Sequence, residues 1–152
     1  MTARLCCVLA ALAVCAAPAR NEERPSKREL DARKDLLELQ GTWQLQSVED
    51  GKGDKVNVKK RTLFVGGDLV LVQDGDRLVQ AGQLRLNAAK APRGIDVVVR
   101  KGEHADNTML GIYELKGDTM KVCFDPSGKE RPKDFKPKEG QFGGVIERVK
   151  KK

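Results

Sequence analysis

Apolar and polar residues along this chain follow two different periods, and the change between them falls at Gly41. Before it, Ser26-Lys27-Arg28-Glu29 has the spacing of a capping box, with a serine oxygen for free amides and a glutamate three residues on. Leu30, Ala32, Leu36, Leu37 and Leu39 follow, most of them on one stripe of a short helix that ends before Gly41.

From Gly41 the period becomes two. Trp43, Leu45 and Ser47 alternate with Thr42, Gln44 and Gln46, as in a half-buried strand. Asp50 to Asp54 is a turn cluster. Thr62–Val65 and Asp68–Gln73 are β-rich runs hinged by Gly66-Gly67, where a bend or bulge is expected. Asp74-Gly75 predicts a tight hairpin turn. Arg77–Leu86 then places Leu78, Leu84 and Leu86 on one face, with Gly82 marking a bend.

Ile95, Val97 and Val99 alternate with Asp96, Val98 and Arg100, and Thr108–Leu115 is a further strand. Lys116-Gly117-Asp118 turns it into Thr119–Phe124, where Met120, Val122 and Phe124 share a face. Pro126–Gly140 has no regular period and is the longest loop, after which Gln141–Lys150 closes the chain. About eight short strands joined by hairpin-length connections predict an all-β, antiparallel, up-and-down barrel preceded by one helix.

Residues 1–19 carry the pattern of an export signal: Arg4, an apolar stretch from Leu5 to Val14, and Ala17-Pro18-Ala19 as a cleavage site. That stretch is too short for a membrane span, so no transmembrane segment is expected. Leu12-Ala13-Val14-Cys15 resembles a lipobox, but valine before the cysteine is bulkier than such sites prefer, so lipid anchoring at Cys15 is the lesser expectation. The expected organisation is a signal at 1–19, a polar leader and helix start at 20–34, and the barrel domain at 35–152.

Cleavage after Ala19 would remove Cys6, Cys7 and Cys15 and leave Cys123 alone, without an internal disulfide partner. The expected product is a periplasmic or secreted monomer that folds on its hydrophobic core. The formal net charge is +7, with basic runs at Lys55–Arg61 and Arg148–Lys152 set among many acidic residues. One tryptophan, one tyrosine and four phenylalanines offer little stacking surface, so nucleic acid is not the expected partner.

Candidate chemistry is sparse. His104, the only histidine, lies in Gly102-Glu103-His104-Ala105-Asp106, which a solvated turn explains better than a metal site. Cys123 has no base in its own segment and is expected to be a semi-buried structural thiol. No Ser/His/Asp order or paired-carboxylate motif is present, so no catalytic residue, cofactor or metal is expected. Arg148 is expected to lie over the indole of Trp43 and join the last strand to the first, with Gly41 permitting the tight entry. Glu130-Arg131-Pro132-Lys133-Asp134-Phe135 is the candidate functional loop at the barrel mouth. There Arg131 would meet an anionic group and Phe135 an apolar one; alternatively Phe135 plugs the barrel and Arg131 pairs with a carboxylate.

Several segments together resemble a family of small exported lipocalin-like domains of unknown function, abundant in planctomycete bacteria. They are Asp35-Leu36 through Leu39-Gln40-Gly41-Thr42-Trp43, Leu110-Gly111-Ile112-Tyr113-Glu114-Leu115, Gly117–Phe124 and Gly128–Phe135. The resemblance implies a lipocalin-like barrel and an exported setting, and brings no catalytic residues. The expected function is non-catalytic binding of a small apolar or amphipathic ligand, with Trp43, Tyr113, Arg131 and Phe135 as candidate contacts. The alternative is a protein- or cell-envelope-interaction module with a filled core.

Overall fold

The computed structural model describes residues 24–58 and 60–150; the expected signal, Cys15 and the last two lysines lie outside them. One helix, α1 (Lys27–Leu39), precedes nine strands. These are β1 (Gly41–Asp50), β2 (Lys55–Val56), β3 (Arg61–Gly66), β4 (Leu69–Asp74), β5 (Arg77–Asn87), β6 (Arg93–Lys101), β7 (Thr108–Lys116), β8 (Thr119–Asp125) and β9 (Phe142–Arg148). Successive strands from β3 to β9 pair antiparallel with their neighbours, and β1 pairs with both β3 and β9. The sheet therefore closes on itself as an eight-stranded barrel, with β2 a short addition beside β1.

The capping box forms as its spacing predicts. The Glu29 amide donates to Ser26 Oγ, and the Ser26 amide donates back to Glu29 Oε2 at 2.7 Å. Of the leucines on the helix, Leu39 is fully buried and Leu36 packs against the core, whereas Leu30 and Leu37 face solvent. The stripe that docks contains a carboxylate, Asp35, in their place.

Alternation decides the barrel wall. Ile95, Val97 and Val99 are all buried on the inner face of β6, and Met120 and Phe124 on that of β8. Three register shifts modify the simple period: at Leu45/Ser47, Val72/Gln73 and Ala81/Gly82. The first moves Val48 into the position that plain alternation assigns to Ser47, which is exposed. The last falls at Gly82, where a bend was expected. Leu78 does not join the core, and Val79 faces the interior instead. Gly66-Gly67, where a bend or bulge was expected, marks a hairpin: Gly66 ends β3 and pairs with Leu69, and Gly67-Asp68 turns the chain into β4.

The strand directions place α1, the β3–β4 turn, residues 88–92 and the β7–β8 turn at one end of the barrel. The β1–β3 connection, the β4–β5 turn, residues 102–107 and both ends of the 126–141 segment lie at the other, the mouth.

Candidate functional site

The closed end is built around Trp43. It is fully buried, and its indole Nε1–H donates to the Leu39 carbonyl at 2.8 Å, tying the last turn of α1 to β1. The chain enters β1 through Gly41 at φ 115°, a conformation that a side chain would strain. Arg148 stacks its guanidinium 4.2 Å from the indole centroid. The same guanidinium donates to the carbonyls of Gln40, at 2.7 Å, and Glu38, which are orphan acceptors at the helix C-terminus. Gln40 adds a clamp of its own, donating to Gly67 O at 2.9 Å and accepting from the Gly67 amide at 2.6 Å.

A second latch lies one helical turn earlier. Asp35, only 5% exposed, accepts from the Tyr113 hydroxyl at 2.5 Å and from Arg93 Nη1 through the same oxygen. Burial, followed by the hydrogen bond and charge of Asp35, pushes the Tyr113 hydroxyl well above the usual tyrosine range. Tyr113 therefore stays protonated and donates. Hydrogen bonding to Asp35 likewise holds Arg93 in its charged form. Asp35 was missing from the expected set, although a carboxylate four residues before Leu39 on the docking stripe was the sequence signal for it.

The segment from 126 to 141 is neither a mouth loop nor a plug. It leaves the mouth through Asp125, whose Oδ1 accepts from the Ser127 amide and hydroxyl and whose Oδ2 accepts from the Glu130 amide. Burial alone would raise the pKa of this carboxyl; the bonds from Ser127 and Glu130 outweigh it and keep the value below the usual range.

The segment then runs down the outside of the wall. Arg131 pairs with outward-facing Asp96 at 2.6 Å and donates to Gly111 O at 2.6 Å. Phe135 reaches the closed end, where it lines an open groove of about 640 Å³ with Pro92, Arg93, Tyr113 and Glu114. The result is a strap over outward positions of β7, β8 and β9. It explains why Ile112 and Cys123, which point away from the interior, are 1% and 0% exposed. Burial, with Asp134 nearby, pushes the Cys123 thiol up to about 11.

The barrel interior is not filled. It holds a cavity of about 370 Å³ whose floor includes Leu39 of α1 and whose walls include Val65, Val70, Leu84, Val97 and Met120. Near the mouth, Phe124 and Phe142 pack with ring centroids 5.6 Å apart. Gly111, paired with Phe124, makes room for that ring: an added Cβ would lie 2.4 Å from Phe124 Cδ1. None of Trp43, Tyr113, Arg131 and Phe135 lines this cavity. Trp43 and Tyr113 brace the helix that floors it, and Arg131 and Phe135 belong to the external strap. His104 and Glu103, expected in a solvated turn, stand on the cavity rim.

Among the described residues no group of three or more His, Cys, Asp and Glu converges as a metal site would require, and no helix is long and apolar enough to cross a membrane. Comparisons with protein-family models, curated proteins and solved structures return no match.

Proposed function

We propose that this protein is a non-catalytic, exported binding barrel of the lipocalin-like kind, holding one small apolar or amphipathic molecule in its lumen. The observation that carries this reading is the 370 Å³ cavity, lined mainly by apolar side chains and floored by a helix held in two places. Its volume falls in the range of small-molecule pockets, about 300–1,000 Å³. The site residues move accordingly, from the four candidates of the sequence to the inner faces of β1 and β3–β9. Export is supported by the signal-like pattern of residues 1–19.

A solid-cored interaction module is the weaker reading, because its defining feature, a filled interior, is at odds with the cavity. Of the described part of the basic tail, Arg148 is consumed by the helix latch, and Lys150 lies 3.6 Å from Asp118.

The test is binding of an anilinonaphthalene sulfonate dye and its displacement by long-chain alcohols. Val97→Phe projects a ring into the lumen and is expected to abolish binding while leaving a cooperative melt. Undiminished dye binding by a folded Val97→Phe variant would place the dye elsewhere and overturn the reading.

A further inference from the structure

The lumen is graded in polarity along its length, and the grading follows one strand. Arg61, Leu63 and Val65 of β3 line the cavity in succession, from the mouth inward. The other polar side chains of the lining, Gln80, Glu103 and His104, come from the mouth third of β5 and the β6–β7 connection. Deeper in, the described lining is apolar down to Leu39. A wholly apolar guest would leave the mouth groups facing apolar surface, and a wholly polar guest would leave the depth unsatisfied. The occupant that matches both is an amphiphile with its head at the mouth.

Two features narrow its class. The aromatic rings of the lining, Phe124 and Phe142, stand together on the β8–β9 wall, so the depth offers aliphatic contact and the flexible side chain of Met120 rather than a stacking surface. That lining suits a flexible alkyl chain better than a flat ring system, and an eight-stranded barrel has width for one small ligand. At the mouth, the cation is only loosely committed. Arg61 Nε lies 3.5 Å from Asp74 Oδ2, and both side chains are about two-fifths exposed. Nε itself is buried without a hydrogen-bond partner. A guanidinium held only by this long ion pair is suited to receive a carboxylate in a paired, two-pronged fashion.

Resting on the lumen reading above, we infer that the occupant is a single-chain amphiphile with an anionic head, its carboxylate held by Arg61 and its alkyl chain running inward past Leu63 and Val65 toward Leu39.

The test is calorimetric titration of the purified protein and its Arg61→Gln variant with dodecanoate, dodecanol and dodecylammonium. Dodecanoate is expected to bind the unaltered protein about tenfold more tightly than dodecanol, as one charge-assisted hydrogen-bonded contact supports. Arg61→Gln should remove that advantage and leave dodecanol affinity unchanged. Equal affinity for acid and alcohol, or an equal loss of both in Arg61→Gln, would overturn the assignment of Arg61 while leaving the lumen as a binding chamber. Tighter dodecylammonium binding would assign the head to Glu103 and overturn the anionic class. Binding of none of the three would overturn the lumen reading itself.

Discussion

The guanidinium of Arg148 lies 4.2 Å from the centroid of the Trp43 ring while two of its N–H groups reach back to the carbonyls of Gln40 and Glu38. Its Nε also donates to Asp118 at 3.1 Å. One side chain at the end of β9 thus joins the first strand, the helix C-terminus and the β7–β8 turn. Closure of the barrel and docking of its floor share this one side chain.

Arg148→Ala removes the stacked cation and strands both helix carbonyls. The expected loss is about 2 kcal/mol, read from the urea midpoint. Arg148→Lys should recover only a minor part, because an ammonium lacks the planar fork that reaches two carbonyls and the ring together. Full recovery by lysine would show that charge alone matters there.

Trp43→Ala should cost about 3–5 kcal/mol as a core truncation, seen as a large fall in melting temperature. Trp43→Phe keeps most of the packing but deprives Leu39 O of its donor, at about 1–2 kcal/mol. As the chain's single tryptophan, Trp43 also reports on the latch: its emission should shift to longer wavelength only when the helix undocks. An unchanged melt in Trp43→Ala would contradict its place in the core.

The Asp35–Tyr113 contact predicts an alkaline limit. The folded state raises the tyrosine pKa, so it favours the protonated hydroxyl. That contribution is complete below the unfolded tyrosine value of about 10 and is lost as pH rises from there through the higher folded value. Urea midpoints from pH 8 to 11 should therefore fall at the alkaline end. Tyr113→Phe should be less stable at pH 8 and show a flatter alkaline slope; an identical slope in both proteins would assign the loss to other groups.

Cys123 reports on the strap. With its thiol pushed up to about 11 and no exposed surface, it should resist iodoacetamide at pH 8 in the folded protein and react on denaturation. Phe135→Ala, which loosens the strap at the closed end, should speed labelling mapped to Cys123 by mass spectrometry. Rapid labelling of the unaltered protein would show that the strap does not cover this wall.

Much of this architecture was legible from pattern. Ser26 and Glu29 announced the helix start, and runs such as Ile95-Asp96-Val97-Val98-Val99 announced buried inner faces and strand count. The Trp43–Arg148 pair was legible because both residues fall on the two strands that must meet to close a barrel. The site was harder to read. Alternation assigns faces only until a bulge intervenes, as Leu45/Ser47 shows, and it cannot say whether an inner face touches another side chain or empty space. Nor does an irregular, proline-containing segment disclose which surface it crosses. The clue to the strap was indirect: Ile112 and Cys123 are apolar at outward positions and need a cover. Tyr113 and Phe135 drew attention as aromatics, yet one anchors the floor helix and the other the strap.

Occupancy of the lumen is tested most directly by a crystal structure with dodecanoate brominated at its terminal carbon, using the anomalous signal to place the bromine. The expected result is a peak inside the barrel, near Leu39 and Val65, with the carboxylate at Arg61. A bromine confined to the external groove beside Phe135, or an empty lumen at saturating ligand, would contradict it.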